Sequence, residues 1–185
     1  MTLTDTHTHL YAEQFDEDRD EMMQRAIAAG VTRLFLPNID SSSIEPMLQL
    51  CKKYPNNCFP MMGLHPCSVG EKVQEELAMV EHYLFTDPMK QDFFAVGEIG
   101  LDYYWDTTYK AQQQAAFRKQ INWALELDLP IVIHVRDSFD DAYEIVKEMH
   151  GGKLRGIFHC FTGSRQDAEK VMALETFFMG LGYQI

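Results

Sequence analysis

The sequence Asp5-Thr6-His7-Thr8-His9, close to the start of the chain, decides how the rest is interpreted. If Leu3–His9 forms a β-strand, its side chains alternate between two faces, so that Asp5, His7 and His9 share one face. Two imidazoles at the end of one strand can chelate a single cation, although a His-x-His pair also occurs as a polar part of a protein core. We therefore expect His7 and His9 to bind metal together with ligands from other segments.

Three further side chains that can bind metal each end a later apolar segment, namely Glu98, His134 and His159. Glu98 lies among apolar residues and glycines, where burial of an unpaired carboxylate is costly. No lysine or arginine occurs between residues 91 and 109, although an arginine from another strand remains an alternative partner. Since buried charges are paired or bind metal, we expect Glu98 to face a cation, and its two oxygens can bridge two ions.

Two hydrophobic patterns alternate along the rest of the chain. Short runs rich in β-branched and aromatic residues predict strands, and the longer segments between them carry apolar residues at helical spacing. Besides Leu3–His9, the predicted strands are Thr32–Pro37, Cys58–Gly63, Phe93–Glu98, Pro130–His134, Leu154–His159 and Thr176–Leu181. The predicted helices are Glu17–Ala29, Ser43–Tyr54, Glu71–Leu84, Tyr109–Leu127, Ser138–Met149 and Ser164–Leu174, with Ser43 and Ser164 as N-caps. This order predicts a parallel sheet built from βα units.

Seven strands with six helices fit either an open, doubly wound sheet or most of a (β/α)8 TIM barrel. A doubly wound sheet gathers its ligands at one switch point, whereas at least four of these strands end in His or Glu, as in the mouth of a barrel. We therefore expect an α/β fold of the TIM-barrel type, in one domain spanning residues 1–185. A full barrel typically needs about 250 residues, so we expect this one to lack its C-terminal part.

The charge of the chain limits its partners. It has 28 acidic and 16 basic residues, which give a net charge of −12 and argue against an extended basic face for duplex nucleic acid. If the substrate is a polyanion, bound cations must supply much of the positive field. No apolar run is long enough to cross a bilayer, and the first strand leaves no room for a signal peptide, so we expect a cytoplasmic protein without membrane contact.

Two residues near the predicted strand ends suit substrate binding. His65 follows the third strand, and Arg136 lies two residues after His134, on the same side of its strand. A guanidinium at that place would bind a phosphate beside the metal. The alternative is a surface ion pair of Arg136 with Asp137 or Asp140, which contributes little.

Five motifs in this order resemble the TatD-type metal-dependent deoxyribonucleases of the amidohydrolase superfamily. They are Asp-Thr-His-Thr-His-Leu at 5–10, Gly-Leu-His-Pro at 63–66, Gly-Glu-Ile-Gly-Leu-Asp-Tyr-Tyr at 97–104, Ile-His-Val-Arg-Asp at 133–137 and His-Cys-Phe-Thr-Gly at 159–163. The resemblance implies a TIM barrel with two divalent metal ions (Mg, Mn or Zn) and hydrolysis of DNA phosphodiester bonds, often as a 3′-to-5′ exonuclease on single strands. It also implies that His7 and His9 hold one ion and His134 and His159 the other, with Glu98 as the catalytic carboxylate that bridges them.

One element of the family's pattern is missing. Its remaining metal ligand is an aspartate in a Glu-Thr-Asp motif on the eighth strand, and the sequence ends at Ile185 before any such motif.

Asp5 is expected to orient the two histidines as a hydrogen-bond acceptor. Two alternatives stay open: a metal-dependent hydrolase of an amide, ester or lactone, since the fold does not fix the chemistry, and an inactive barrel that only binds metal or a partner.

Overall fold

The computed structural model describes residues 2–86 and 92–182, and within them seven β-strands alternate with six α-helices. The strands are β1 Leu3–Asp5, β2 Val31–Pro37, β3 Cys58–Met61, β4 Val96–Asp102, β5 Ile131–Arg136, β6 Gly156–Phe158 and β7 Phe177–Met179. The helices are α1 Arg19–Ala28, α2 Ser41–Lys53, α3 Val73–Phe85, α4 Lys110–Leu127, α5 Phe139–Met149 and α6 Arg165–Met172. Each helix end coincides with the predicted one or lies one or two residues from it.

All strand pairs are parallel, and each strand lies beside its neighbour in the chain. The first three form the sheet β1-β2-β3 and the last four the sheet β4-β5-β6-β7. A parallel bridge between Met62 and Val96 connects the two sheets. Sequential order throughout is the arrangement of a barrel, because a doubly wound sheet reverses its order at a switch point. The carboxyl ends of the strands therefore meet at one mouth.

Apolar side chains fill the space between the strands and the helices that cover them. One cluster contains buried residues of the first half of the chain, among them Leu36 and Met47, and a second contains Phe117 and Phe158. Each of these side chains is fully buried, which stabilises the fold by roughly 1.5–3 kcal/mol per side chain. A smaller cluster is built on Met61, Ala95 and Val132, which come from the segments of three neighbouring strands. This framework fixes the strand ends at which the candidate site lies.

Two strand boundaries differ from the prediction in a way that matters for the site. β1 ends at Asp5, so His7 and His9 follow the strand instead of ending it, although the Thr8 N–H still donates to Phe35 O at 3.0 Å. β4 begins at Val96 and continues past Glu98 to Asp102, because its pairing with β5 shifts register after Val96 and then resumes from Ile99 to Asp102.

A glycine makes the second half of β4 possible. Gly100 has φ of 136°, and a Cβ atom there would lie 2.1 Å from His134 O. Only glycine allows the two backbones to approach so closely. The register shift and this contact bring β4 against β5 at the level of His134.

One predicted helix cap is wrong. α2 begins at Ser41 and its N-cap is Asp40, whose carboxylate accepts from the Ser42 N–H at 3.0 Å. Ser43 lies one turn further on, where its hydroxyl accepts from the Asp40 N–H at 3.1 Å. The predicted cap of α6 by Ser164 is confirmed. In the described part of the chain, no helix combines the length and the apolar character that a membrane span requires.

Candidate metal centre

Glu98 lies at the centre of a cluster of histidines at the mouth of the barrel. Its side chain is 4 % exposed, and its Oε2 lies 3.1 Å from His7 Nε2 and 3.8 Å from His9 Nε2. The same oxygen lies 3.8 Å from His65 Nε2, and Oε1 lies 3.2 Å from His134 Nδ1. The two oxygens of one carboxylate thus face different sets of imidazoles, which come from separate segments of the barrel.

His159 joins this cluster through His7. The two rings are stacked, with centroids 3.4 Å apart and planes inclined by 11°. The structure therefore brings all five predicted ligands into one place: His7, His9, Glu98, His134 and His159. His65, predicted as a substrate-binding residue, lies in the same cluster, with Nε2 3.2 Å from His134 Nδ1.

The hydrogen bonds around His9 determine which of its nitrogens is free to bind a cation. The Tyr11 hydroxyl donates its only proton to Pro37 O, so it accepts from His9 Nδ1 at 2.8 Å. A neutral imidazole that donates through Nδ1 keeps a lone pair on Nε2. That lone pair faces His7 Nε2 at 3.2 Å and the carboxylate of Glu98.

This arrangement fits a divalent cation. The ligand atoms of His7, His9 and Glu98 all lie within 4.8 Å of one another. A lone pair directed at a carboxylate is unfavourable unless a cation shares both, and imidazole with carboxylate is a donor set of zinc, manganese and iron sites. In addition, His7 Nδ1 is the one buried polar side-chain atom of the described residues without a hydrogen-bond partner.

The protonation states of the cluster also suit a metal. Burial raises the pKa of Glu98, but hydrogen bonds to His134 and His7 outweigh burial and hold this pKa well below its ordinary value. Burial lowers the pKa of His9, and it lowers the pKa of His159 to about 4. At neutral pH the centre therefore offers an ionised carboxylate, Glu98, and two neutral imidazoles, His9 and His159, which are the forms that bind cations.

Comparison with known proteins agrees with this site. Residues 4–184 match the family described as "TatD related DNase". The chain belongs to this family. The resemblance predicted from the motifs is thereby confirmed, and the site described above is a candidate TatD metal centre.

Named relatives support the assignment. The chain is 37% identical to the "uncharacterized metal-dependent hydrolase YabD" of Bacillus subtilis over 97% of this chain and 68% of that protein. It is 30% identical to the "3'-5' ssDNA/RNA exonuclease TatD" of Erwinia tasmaniensis over 96% of this chain and 66% of that protein. The chain thus spans about two thirds of the length of these relatives. They identify it as a member of a family of metal-dependent hydrolases.

Solved structures confirm the fold class. The crystal structure of the TatD homologue YjjV from Escherichia coli matches with a TM-score of 0.85 at 30% identity, over 96% of this chain and 66% of that one. A protein from Bordetella bronchiseptica described as a TIM-barrel protein matches with a TM-score of 0.65 at 9% identity. The predicted α/β barrel with seven strands and six helices is confirmed.

The sequence did not indicate Asp102 as part of the TatD centre. It lies beyond the predicted end of the fourth strand at Glu98, but in the structure it ends β4 and is 2 % exposed. Its Oδ2 lies 2.8 Å from His134 Nε2, so His134 lies between two carboxylates, Glu98 and Asp102. Burial lowers the pKa of His134, but the hydrogen bonds to these carboxylates outweigh it and raise that pKa. Asp102 would hold the His134 ring while Nδ1 binds a cation.

Tyr11 was missed as well, and the sequence contained a signal for it. The alternation of Asp5, His7 and His9 continues to Tyr11, which is 3 % exposed. The side chain that orients His9 in the structure is this tyrosine. Asp5 differs from the expectation: its Oδ1 accepts from the backbone N–H of His7 at 3.1 Å, and its carboxylate forms no hydrogen bond with an imidazole of the residues that the structure describes.

His65 has the opposite tautomer from His9. The backbone N–H of Cys67 donates to His65 Nδ1 at 3.1 Å, so the neutral ring carries its proton on Nε2. Burial lowers the pKa of His65 to about 4, which keeps the ring neutral at pH 7. His65 therefore directs an N–H donor toward Glu98 and His134, where an oxygen-rich substrate would accept it.

Arg136 forms neither of the alternative ion pairs. Among the described residues, Asp140 is paired with Lys170 at 2.9 Å, and no carboxylate lies within 4 Å of Arg136. The guanidinium lies over the ring of Tyr104 instead, with Cζ 3.6 Å from the centroid. Arg136 is thus held at the mouth of the barrel by an aromatic ring, and its charge stays unpaired there.

Proposed function

We propose that this chain carries the catalytic centre of a two-metal phosphodiesterase that hydrolyses DNA and releases nucleotides from the 3′ end of single strands. The observation that carries the proposal is the buried carboxylate of Glu98, which directs one oxygen at His7 and His9 and the other at His134. One carboxylate between two histidine sets is what a bridging ligand of two cations requires. The relatives named as ssDNA/RNA exonucleases support the substrate class.

The residues have distinct roles in this proposal. His7 and His9 would hold one ion and His134 and His159 the other, and Glu98 would be the carboxylate that both ions share. When bound, Mg, Mn or Zn ions neutralise the charge of the phosphate and make a water molecule acidic enough to attack at neutral pH. His65 donates its Nε2–H to a phosphate oxygen. Arg136 binds the phosphate of a neighbouring nucleotide through its unpaired charge.

The charge of the chain supports a preference for single strands and ends. With a net charge of −12, the protein offers few cations to the many phosphates of a duplex, so positive charge is concentrated at the metal centre and Arg136. A single strand can place one phosphodiester there without unpairing. Four free cysteines support a reducing compartment, and we propose a cytoplasmic location and one barrel domain over residues 1–185.

A nuclease assay with controlled metal content tests this function. We expect metal-depleted protein to be inactive on a 5′-labelled single-stranded oligonucleotide, and Mg or Mn to produce stepwise shortening from the 3′ end, which a chelator stops. A blunt duplex of the same sequence should be cut more slowly. Hydrolysis of p-nitrophenyl esters or lactones without any cleavage of DNA would support the alternative substrate class. Metal binding without any hydrolysis would support a protein that only binds.

A further inference from the structure

Two large aromatic side chains are exposed directly after β4. Trp105 is 72 % exposed and Tyr104 is 52 % exposed, and their rings make an edge contact with centroids 4.7 Å apart. Tryptophan usually buries most of its surface, and neighbouring exposed rings are typical of binding surfaces. Their position in the loop between β4 and α4 places them at the mouth that contains Glu98.

Arg136 connects these rings to the phosphate side of the site. Its guanidinium Cζ lies 3.6 Å from the Tyr104 centroid and 5.1 Å from the Trp105 centroid. Contact with the rings fixes the direction of the guanidinium and leaves its outer N–H groups available to an anion. We call Tyr104, Trp105 and Arg136 the aromatic shelf.

A cavity of about 280 Å³ lies against Trp105. Residues 66–70 also line it, and its two charged members are the carboxylates of Asp102 and Asp106. Two carboxylates repel a phosphate. Asp102 is buried and bonded to His134, but the exposed carboxylate of Asp106 can accept a hydrogen bond from the amino group of a base, and the indole offers a flat apolar face. The chemistry of this cavity therefore selects a nucleobase, while the cation of Arg136 selects a phosphate.

The cavity is continuous with the metal centre. Asp102, which lines it, is also bonded to His134 at 2.8 Å, and Asp102 is the residue of β4 that pairs in register with Arg136 of β5. A nucleotide in contact with Arg136 can thus place its base beside Trp105 and an adjoining phosphodiester at Glu98.

We propose that the aromatic shelf binds one nucleotide of a single strand, with its base stacked on Trp105 in the cavity and its phosphate on Arg136. This inference rests on the proposed function, since it concerns the substrate of the same site. Trp105 then positions the strand. It also makes the site favour single strands over duplexes, because a paired base has to leave its duplex before it can stack on the indole. Every base has a flat face, so the shelf holds nucleotides without regard to sequence.

Intrinsic fluorescence gives a direct test, because the chain has two tryptophans in opposite environments. Trp105 is 72 % exposed and Trp123 is 5 % exposed. We expect a hexadeoxyadenylate strand to quench the fluorescence of the full chain, and to quench a larger fraction of the fluorescence of the Trp123→Phe variant, because that variant lacks the unquenched emission of Trp123. Trp105→Ala should weaken binding of the same labelled strand, measured by fluorescence anisotropy, at least about fivefold, the lower limit for loss of one stacked base. Trp105→Phe should keep most of the affinity.

The controls separate the shelf from a general surface effect. Phe178→Ala removes another aromatic ring that is 70 % exposed, on β7, and should leave affinity unchanged. Inorganic phosphate should not quench. Quenching by phosphate alone, quenching by an acidic peptide but not by the strand, or equal affinity of Trp105→Ala and the parent protein would each overturn the inference. Quenching without any DNA hydrolysis would refute the proposed function and leave the aromatic shelf supported. Hydrolysis with unchanged Trp105 fluorescence would refute the aromatic shelf and leave the proposed function supported.

Discussion

The two sides of Glu98 are built differently. On one side, His7 and His9 follow a strand of three residues, and His9 is oriented by the hydroxyl of Tyr11. On the other side, His134 lies inside the six-residue strand β5, and its ring is held by the carboxylate of Asp102. The side of His7 and His9 therefore depends on an extended segment and a neutral hydrogen bond. The side of His134 depends on a regular strand and a hydrogen bond to a charged carboxylate. We expect the second side to be the more rigid, because a charged hydrogen bond is roughly twice as strong as a neutral one.

Removal of the negative charge of Glu98, which both sides share, should have the largest effect on metal binding. Glu98→Gln keeps the shape of the side chain, but a neutral amide cannot bridge two cations. We expect bound metal to fall below about a tenth of the parental level, because Glu98 is the one ionised carboxylate shared by both histidine sets. Elemental analysis of purified protein measures this, with Glu148→Gln as a control, since Glu148 pairs with Arg118 on the surface. Retention of parental metal content would show that Glu98 has only a structural role.

Single histidine substitutions separate the two sides. If two ions bind as proposed, His9→Ala and His134→Ala should each reduce bound metal by about half, because each removes one ligand of one ion only. The control is His82→Ala, a histidine in the last turn of α3 outside the centre. If His9→Ala removes all metal and His134→Ala removes none, the chain has a single site, on the side of His7 and His9.

The sequence predicted the ligands on the side of His7 and His9 better than it predicted the surroundings of His134. His7 and His9 were found because alternation holds even where the strand has ended, since Thr8 continues the backbone pairing with Phe35. Asp102 was missed because β4 extends to it only through pairing with Arg136 of β5, and the residue pattern of β4 alone does not contain that information. Local sequence therefore predicts which side chains share a face, and tertiary pairing decides how far a strand extends.

Substitution of Asp102 or Tyr11, the residues that orient His134 and His9, is expected to weaken metal binding less, and to different degrees. Asp102→Asn removes a charged acceptor from His134, and Tyr11→Phe removes a neutral acceptor from His9. Loss of such orienting partners typically weakens metal binding about 10- to 100-fold, and we expect Asp102→Asn near the upper end of this range and Tyr11→Phe near the lower. Competition with a chromogenic chelator measures both affinities. A larger loss for Tyr11→Phe would reverse the ranking of the two sides.

Substitution of Asp5 should have the smallest effect on metal affinity. It tests whether the carboxylate of Asp5 orients His7 and His9 or only binds the backbone. If Asp5 orients the imidazoles, as its position in the sequence suggested, then Asp5→Asn should weaken metal binding as strongly as Tyr11→Phe. The structure gives its Oδ1 a different partner, the backbone N–H of His7 at 3.1 Å, and the amide oxygen of asparagine can accept the same bond. We therefore expect Asp5→Asn to stay within about threefold of the parental metal affinity, while Asp5→Ala loses a hydrogen bond worth about 1 kcal/mol. A tenfold loss in Asp5→Asn would mean that the negative charge itself acts on the histidines, and that this side, too, depends on a carboxylate behind its ligands.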